Sequence, residues 1–287
     1  MTRTRSLLLR LFLFLLSALL ASPVAAQTGR EQPLSEKDLL RNILEDQKFF
    51  WTRPFRAQRD DWKTWTLLAG GSAALIPLDS PAARALAVHP PGDGYAFSRR
   101  VGQWTGAGID LAVAGGFYLF GRAQGDSRAR ETGLLGVQAI ANALILTEAL
   151  KTAAGRDRPT RHRGTELVSD ADGEFLQAGR SFPSGHAMQA WALATVVAEE
   201  YRHNPWVRYS AFGLAGLVSV ARVTARDHFP SDVFVGSVLG YLIGRHVYRA
   251  HHRVPALDSA STRLHWEFGA GVSPLSGRPA LGLTLRF

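Results

Sequence analysis

Apolar residues in this chain gather in long blocks, and before the last thirty residues they show no convincing alternation with polar ones. Six blocks have the length and spacing of helices: Thr64–Leu78, Val101–Gly121, Gly133–Ala154, Ala187–Tyr201, Val207–Val223 and Val233–Tyr248. Turn residues punctuate them at Asp79-Ser80-Pro81, Pro90-Pro91-Gly92, Gly125-Asp126 and Asn204-Pro205. Ahead of the six, Ser35–Phe50 reads as an amphipathic helix, with Leu39, Leu40, Ile43, Leu44 and Phe49 at helical spacing and Ser35 and Asp38 as a capping pair. The pattern predicts an all-α fold, a bundle of about six core helices. The tail differs. Leu264, Trp266, Phe268, Ala270 and Val272 alternate with other residues, as do Leu281, Leu283, Leu285 and Phe287, which predicts a short C-terminal β-hairpin. Phe287 resembles the last residue of an outer-membrane barrel strand, but one hairpin cannot close a barrel; packing on the helical domain or on another chain is the plainer reading.

The start of the chain reads as an export signal. Arg3 and Arg5 precede an apolar run, Leu7 to Ala21, broken only by Arg10, and Val24-Ala25-Ala26 offers small residues for cleavage near Gln27. The alternative is an uncleaved anchor helix. The expected organisation is 1–26 signal peptide, 27–60 N-terminal amphipathic helix region, 61–250 helical catalytic domain, and 251–287 tail with the hairpin. Membrane association is expected, whereas spanning is a closer question. The charge-free cores of the six blocks run only about 11–15 residues, short of the roughly 20 a bilayer requires. Their Gly, Ala and Ser content nevertheless suits close packing in lipid. A cleaved signal followed by six full crossings puts the stretch around His228 in the cytoplasm. A site facing the periplasm therefore requires that Thr64–Leu78, which is short and ends at Pro77 and Asp79, does not fully cross, or that the bundle sits on the periplasmic side.

Composition narrows the partners. The chain has no cysteine, which excludes disulfides, thiolate nucleophiles and thiolate zinc sites. Its formal charge is +9, which suits an anionic partner. Nucleic acid is not expected, since no basic stripe or reading motif accompanies an export signal.

Three stretches carry candidate chemistry. Arg222-Val223-Thr224-Ala225-Arg226-Asp227-His228-Phe229-Pro230-Ser231-Asp232 places an arginine, a histidine and an aspartate within eleven residues. Pro230 cannot continue a helix, and Ser231 or Asp232 suits an N-cap, so His228 falls on a turn between helices with Asp232 near to hold its ring. Upstream, Lys151, Arg156, Arg158, Arg161 and Arg163 lie within thirteen residues, more cations than a helix C-terminus needs for its dipole. Between these, Ser181-Phe182-Pro183-Ser184-Gly185-His186 opens a helix with Ser and Gly, an anion seat of outward N–H groups with a histidine at its rim. Each stretch alone has an ordinary structural explanation: a helix-end hydrogen bond, dipole-complementing charges, a plain N-cap.

Together, Lys151-x6-Arg158-Pro159, Pro183-Ser184-Gly185-His186 and Arg222-x5-His228-x3-Asp232 resemble the three-part signature of the type 2 phosphatidic acid phosphatase (PAP2) and vanadium haloperoxidase superfamily, in order and in spacing. The resemblance spans roughly Val101 to Tyr248. One departure is Ala221, where the family usually has serine before the arginine.

The resemblance implies catalytic roles for His228 as nucleophile, Asp232 accepting from its other ring nitrogen, and His186 as general acid and then base. It implies phosphate binding by Lys151, Arg158, Arg222, Ser184 and Gly185. Three fixed cations can stand in for a metal ion, so no metal and no cofactor are expected. The expected function is a metal-independent phosphatase acting on a phosphate monoester or diphosphate, of a lipid, through a phosphohistidine, facing the periplasm at the inner membrane. The outer membrane and the soluble periplasm are the other placements. Competing readings are a soluble periplasmic acid phosphatase on small phosphate esters, a vanadate-dependent haloperoxidase, and a non-catalytic phosphate- or lipid-binding module. The paired His186 and His228 argue against the last, because binding needs neither an acid nor a nucleophile.

Overall fold

In the computed structural model, residues 34–56, 62–88, 91–163, 166–169, 180–252, 265–272 and 279–286 are described. The expected signal segment 1–26 lies outside them. Eight α-helices occur among the described residues: α1 Leu39–Thr52, α2 Trp62–Val88, α3 Asp93–Trp104, α4 Ala107–Gln124, α5 Ser127–Ala154, α6 Gly185–Glu200, α7 Pro205–Thr224 and α8 Pro230–His251. Two short strands, β1 Thr160–Arg163 and β2 Glu166–Ser169, pair antiparallel between α5 and α6. The sequence pattern did not predict them.

Helix α6 is the centre. Nearly every residue from Gly185 to Val197 is buried, and α6 packs on α5, α7 and α8. Its contact with α8 is the closest. Gly236, Gly240 and Gly244 recur every four residues on one face of α8, and a Cβ on each would collide with the α6 backbone at Ser184, Met188 and Ala192 in turn. Small residues at this spacing let two helices approach to backbone contact. Helices α4 to α8 run up and down, so the C-terminal ends of α5 and α7 and the N-terminal ends of α4, α6 and α8 share one end of the bundle. That end carries all three motif stretches.

Several boundaries differ from the pattern. The expected helix Thr64–Leu78 extends to Val88, continuing through Pro77 and Pro81. The expected Val101–Gly121 helix is two helices, α3 and α4, broken at Thr105 and at Gly106, whose φ of 114° is a conformation that favours glycine. Ser35 caps by accepting from the Lys37 N–H, not by pairing with Asp38. Helix α8 begins at Pro230 with Phe229 as its N-cap, so Ser231 and Asp232 lie inside the first turn.

Helix α1 docks by a buried polar cluster. Asp46 accepts hydrogen bonds from Gln138 and Asn142 of α5 and pairs with His246 and His251 of α8. Glu36, just before α1, pairs with Arg130 in the first turn of α5, about 30 Å along that helix from Lys151. The apolar surface is large: Trp62, Leu67, Leu78, Leu119, Trp206, Leu214, Leu217 and Val220 are all exposed on α2, α4 and α7. By length and composition, α5 passes as a membrane span, though it is also a mostly buried core helix. In a second unit, β3 His265–Val272 pairs antiparallel with β4 Pro279–Arg286.

Candidate active site

The turn after α7 sets the position of His228. Arg226 takes a positive φ of 60°, and the N–H groups of Asp227 and His228 both return to the Arg222 carbonyl at 3.1 and 3.3 Å. This reversal tucks His228 beneath the end of α7, where it is 3% exposed. Its Nδ1 lies 2.8 Å from the Ser181 carbonyl oxygen. A carbonyl only accepts, so Nδ1 carries the proton and Nε2 keeps its lone pair. Burial pushes the His228 pKa down; Asp232 pulls the other way, and Arg158 and Arg222 add to the depression. The ring is therefore neutral.

Asp232 does not hold the ring directly, as the resemblance implied. Its Oδ2 is 3.8 Å from Nδ1, too far for a hydrogen bond. Oδ2 instead accepts from Ser181 Oγ at 2.6 Å and from the Phe229 N–H at 2.9 Å, while Oδ1 accepts from Arg156 at 2.7 Å. Asp232 thus fixes Ser181, and the Ser181 carbonyl fixes the ring. Arg156 is itself 2% exposed and reaches Asp79 of α2 at 2.8 Å; Asp79 also accepts from the Ser231 N–H at 3.0 Å. The motif pattern assigned no role to Ser181, Arg156 or Asp79. Arg156 was visible only as one cation among five, and Asp79 as a loop residue.

The proposed phosphate seat gathers beside His228. The Ser184 N–H is bound to the Asp232 carbonyl at 3.0 Å, but the buried Ser184 Oγ has no partner, nor does Arg222 Nε. A buried unpaired donor is costly unless a ligand satisfies it. The Arg222 guanidinium occupies the space a side chain at Gly102 would fill and is gripped by Asp227 at 2.6 Å. Lys151 closes the opposite side, near Gly185, and pairs loosely with Glu148 at 3.6 Å. Arg158 is exposed but close enough to influence Lys151, Arg222 and His228 electrostatically. His186 stands in the first turn of α6 against Gly106, where an added Cβ would sit 3.0 Å from its Nε2. Burial, with Arg222, His228 and Lys151 adding, lowers its pKa to about 4. All eight expected residues therefore meet at one end of the bundle.

One group of side chains among the described residues has metal-ligand spacing: Glu131, Glu200 and His252. It ties α5, α6 and the end of α8 at the opposite end from the site. His252 lies 3.2 and 3.1 Å from the two carboxylates. Burial pushes its pKa down, but those hydrogen bonds outweigh it and hold it at about 9, so a protonated imidazole already fills the bridging position.

The eight residues run from Lys151 to Asp232, inside the segment that matches a known family. Residues 133–255 carry the PAP2 superfamily pattern. This PAP2-type segment begins within α5 and ends just past α8, so it covers the site but not α1 to α4 or the hairpin. A lipid A 1-phosphatase of Porphyromonas gingivalis is 32% identical over 101 residues, 28% of this chain and 23% of that protein. A PA-phosphatase related-family protein of Dictyostelium discoideum is 28% identical over 154 residues, 49% of this chain and 55% of its own. Among solved structures, LpxE of Aquifex aeolicus is 24% identical with a TM-score of 0.44, covering 60% of this chain and 95% of that one. The chain spans 23% to 55% of the length of the curated relatives it matches.

Proposed function

We propose that the chain is a metal-independent phosphatase that releases phosphate from a phosphorylated lipid through a phosphohistidine, on the periplasmic side of the membrane. The observation that carries this is the pinning of the buried His228 ring through Nδ1, which leaves the lone pair on Nε2. Arg158, Arg222 and His186 lie close enough to act on that ring electrostatically.

In this reading Nε2 attacks phosphorus in line. The N–P bond forms as the bond to the leaving oxygen breaks, and His186 gives that oxygen its proton. His186 then takes a proton from water, whose oxygen attacks phosphorus; the N–P bond breaks and His228 returns neutral. Transition-state charge spreads over the non-bridging oxygens, where three cations and the Ser184 hydroxyl offset it. This charge set is the reason no metal is invoked. Apolar side chains exposed on α2, α4 and α7 favour a lipid substrate and a membrane setting.

Purified protein in detergent is assayed for phosphate release from phosphatidate, phosphatidylglycerol phosphate, a lipid A-type 1-phosphate and an isoprenyl diphosphate, with EDTA and with vanadate. Hydrolysis of at least one lipid, insensitive to EDTA and inhibited by vanadate, is expected. Activity lost to chelator and restored by magnesium or zinc contradicts the proposal.

A further inference from the structure

On the Nδ1 side of His228 lies a set of three buried charges, Asp232, Arg156 and Asp79, none more than 2% exposed. Arg156 is its hub. One guanidinium nitrogen donates to Asp232 at 2.7 Å and to the Ser231 hydroxyl at 2.8 Å, and the other donates to Asp79 at 2.8 Å. The guanidinium also lies over the Phe229 ring, 4.3 Å from its centre, and the Arg156 carbonyl accepts from the Ser181 N–H at 2.8 Å. Asp79 accepts from the N–H and the hydroxyl of Ser231 as well as from Arg156. It belongs to α2, which lies outside the PAP2-type segment and packs on α8, with Gly71 against the Phe234 ring. Arg156 cancels one of the two carboxylates and leaves one negative charge over. A surplus buried charge is costly unless something offsets it. The start of α8 offsets part of it, through the N–H groups of Phe229 and Ser231. The remainder has a use in the attack step. As the Nε2 lone pair becomes the N–P bond, Nδ1 keeps its proton and the ring turns positive. Burial disfavours a charged ring, as do Arg158 and Arg222, whereas Asp232 favours it. An Asp232–Arg156 pair without Asp79 is neutral and offers that ring no net charge.

We propose that Asp79 is a positioning residue for the nucleophile: by holding and neutralising Arg156, it keeps one net negative charge on the Nδ1 side of His228. The inference rests on the phosphatase reading above and adds to it a residue of α2. Asp79 acts through Arg156 and Asp232, not on the reacting atoms. A merely structural Asp79–Arg156 pair would tie α2 to α8, and removing both partners would then be at least as damaging as removing one. On the charge account the second removal repairs the first, because the set loses its cation and regains a single negative charge.

The test uses the full chain in detergent, the four lipids of the panel above as substrates, and inorganic phosphate as a product inhibitor. The variants are Asp79→Asn and Asp79→Asn/Arg156→Gln. Asp79→Asn should lower kcat by about 30-fold on each lipid that the wild type hydrolyses, since a unit charge acts over several ångströms in a protein interior. The inhibition constant for phosphate, which binds without the N–P bond, should change by less than about 2-fold. The double variant should be at least about 5-fold more active than Asp79→Asn. A loss under about 5-fold in Asp79→Asn, or no recovery in the double variant, overturns the proposal and leaves the phosphatase reading standing. A phosphate inhibition constant that weakens in step with kcat marks a damaged seat and overturns it too. Should Asp79→Asn lack a melting transition, the double variant decides alone: kcat within about 10-fold of wild type supports the proposal, and a larger loss overturns it. Release of phosphate by the wild type from none of the four lipids overturns the phosphatase reading as well.

Discussion

In the proposed mechanism His228 serves as a nucleophile only while its ring is neutral, and His186 serves as an acid only while its ring is charged. The site lowers both pKa values, His186 to about 4. In the free enzyme His186 is thus uncharged at neutral pH and gains its proton as pH falls toward 4, and burial likewise keeps His228 uncharged at neutral pH. Because kcat/KM reports the free enzyme, it should rise as pH is lowered from 7 and His186 gains its proton. His186→Ala should lose that limb and lower kcat by about 10²–10⁴-fold, least for a substrate with a good leaving group. A limb that survives in the variant removes His186 from the role. Identities at this scale were legible because the three motifs are local in sequence. How they connect was not. Asp232 lies four residues from His228, yet it works through Ser181, forty-seven residues upstream. Arg156 and Asp79 are seventy-seven residues apart and meet only because α2 packs against α8.

Helix ends place the chemistry. Five of the six apolar blocks correspond to single helices, since their periodicity is strong and Gly155 ends α5 while Asn204-Pro205 and Pro230 open α7 and α8. The block Val101–Gly121 failed because Gly106 is flanked by Thr105 and Ala107, with no proline or charge to signal a break. Its positive φ is imposed by the fold and leaves room for His186. Gly106→Ala should therefore strain the backbone and press on the His186 ring. A kcat loss of up to about 10²-fold is expected from misplacing the acid, with melting temperature lowered far less than a core deletion would lower it. Wild-type kcat in a folded Gly106→Ala protein contradicts the role given to this break.

The helical bundle carries the candidate site at one end. Glu36 and Arg130 pair at the other end, together with the His252 cluster. The short first block expected to fall short of crossing is instead a 27-residue helix, so weakness of that segment no longer supports a periplasmic site. The proposed side must be tested directly. Arg180 is exposed beside the motif end, and the chain has no cysteine of its own. Arg180→Cys should react with a membrane-impermeant thiol reagent in cells whose outer membrane alone is permeabilised. Labelling only after inner-membrane lysis means a cytoplasmic site.

The central claim is a covalent bond from His228 Nε2 to phosphorus. A rapid-quench reaction with a ³²P-labelled substrate, stopped in alkali where a phosphohistidine survives, followed by peptide mapping of wild type and His228→Ala, tests it most directly. The expected result is label on the wild-type peptide carrying His228, formed before free phosphate, with neither label nor turnover in the variant. Near-wild-type phosphate release by His228→Ala, or label on any other residue, contradicts it.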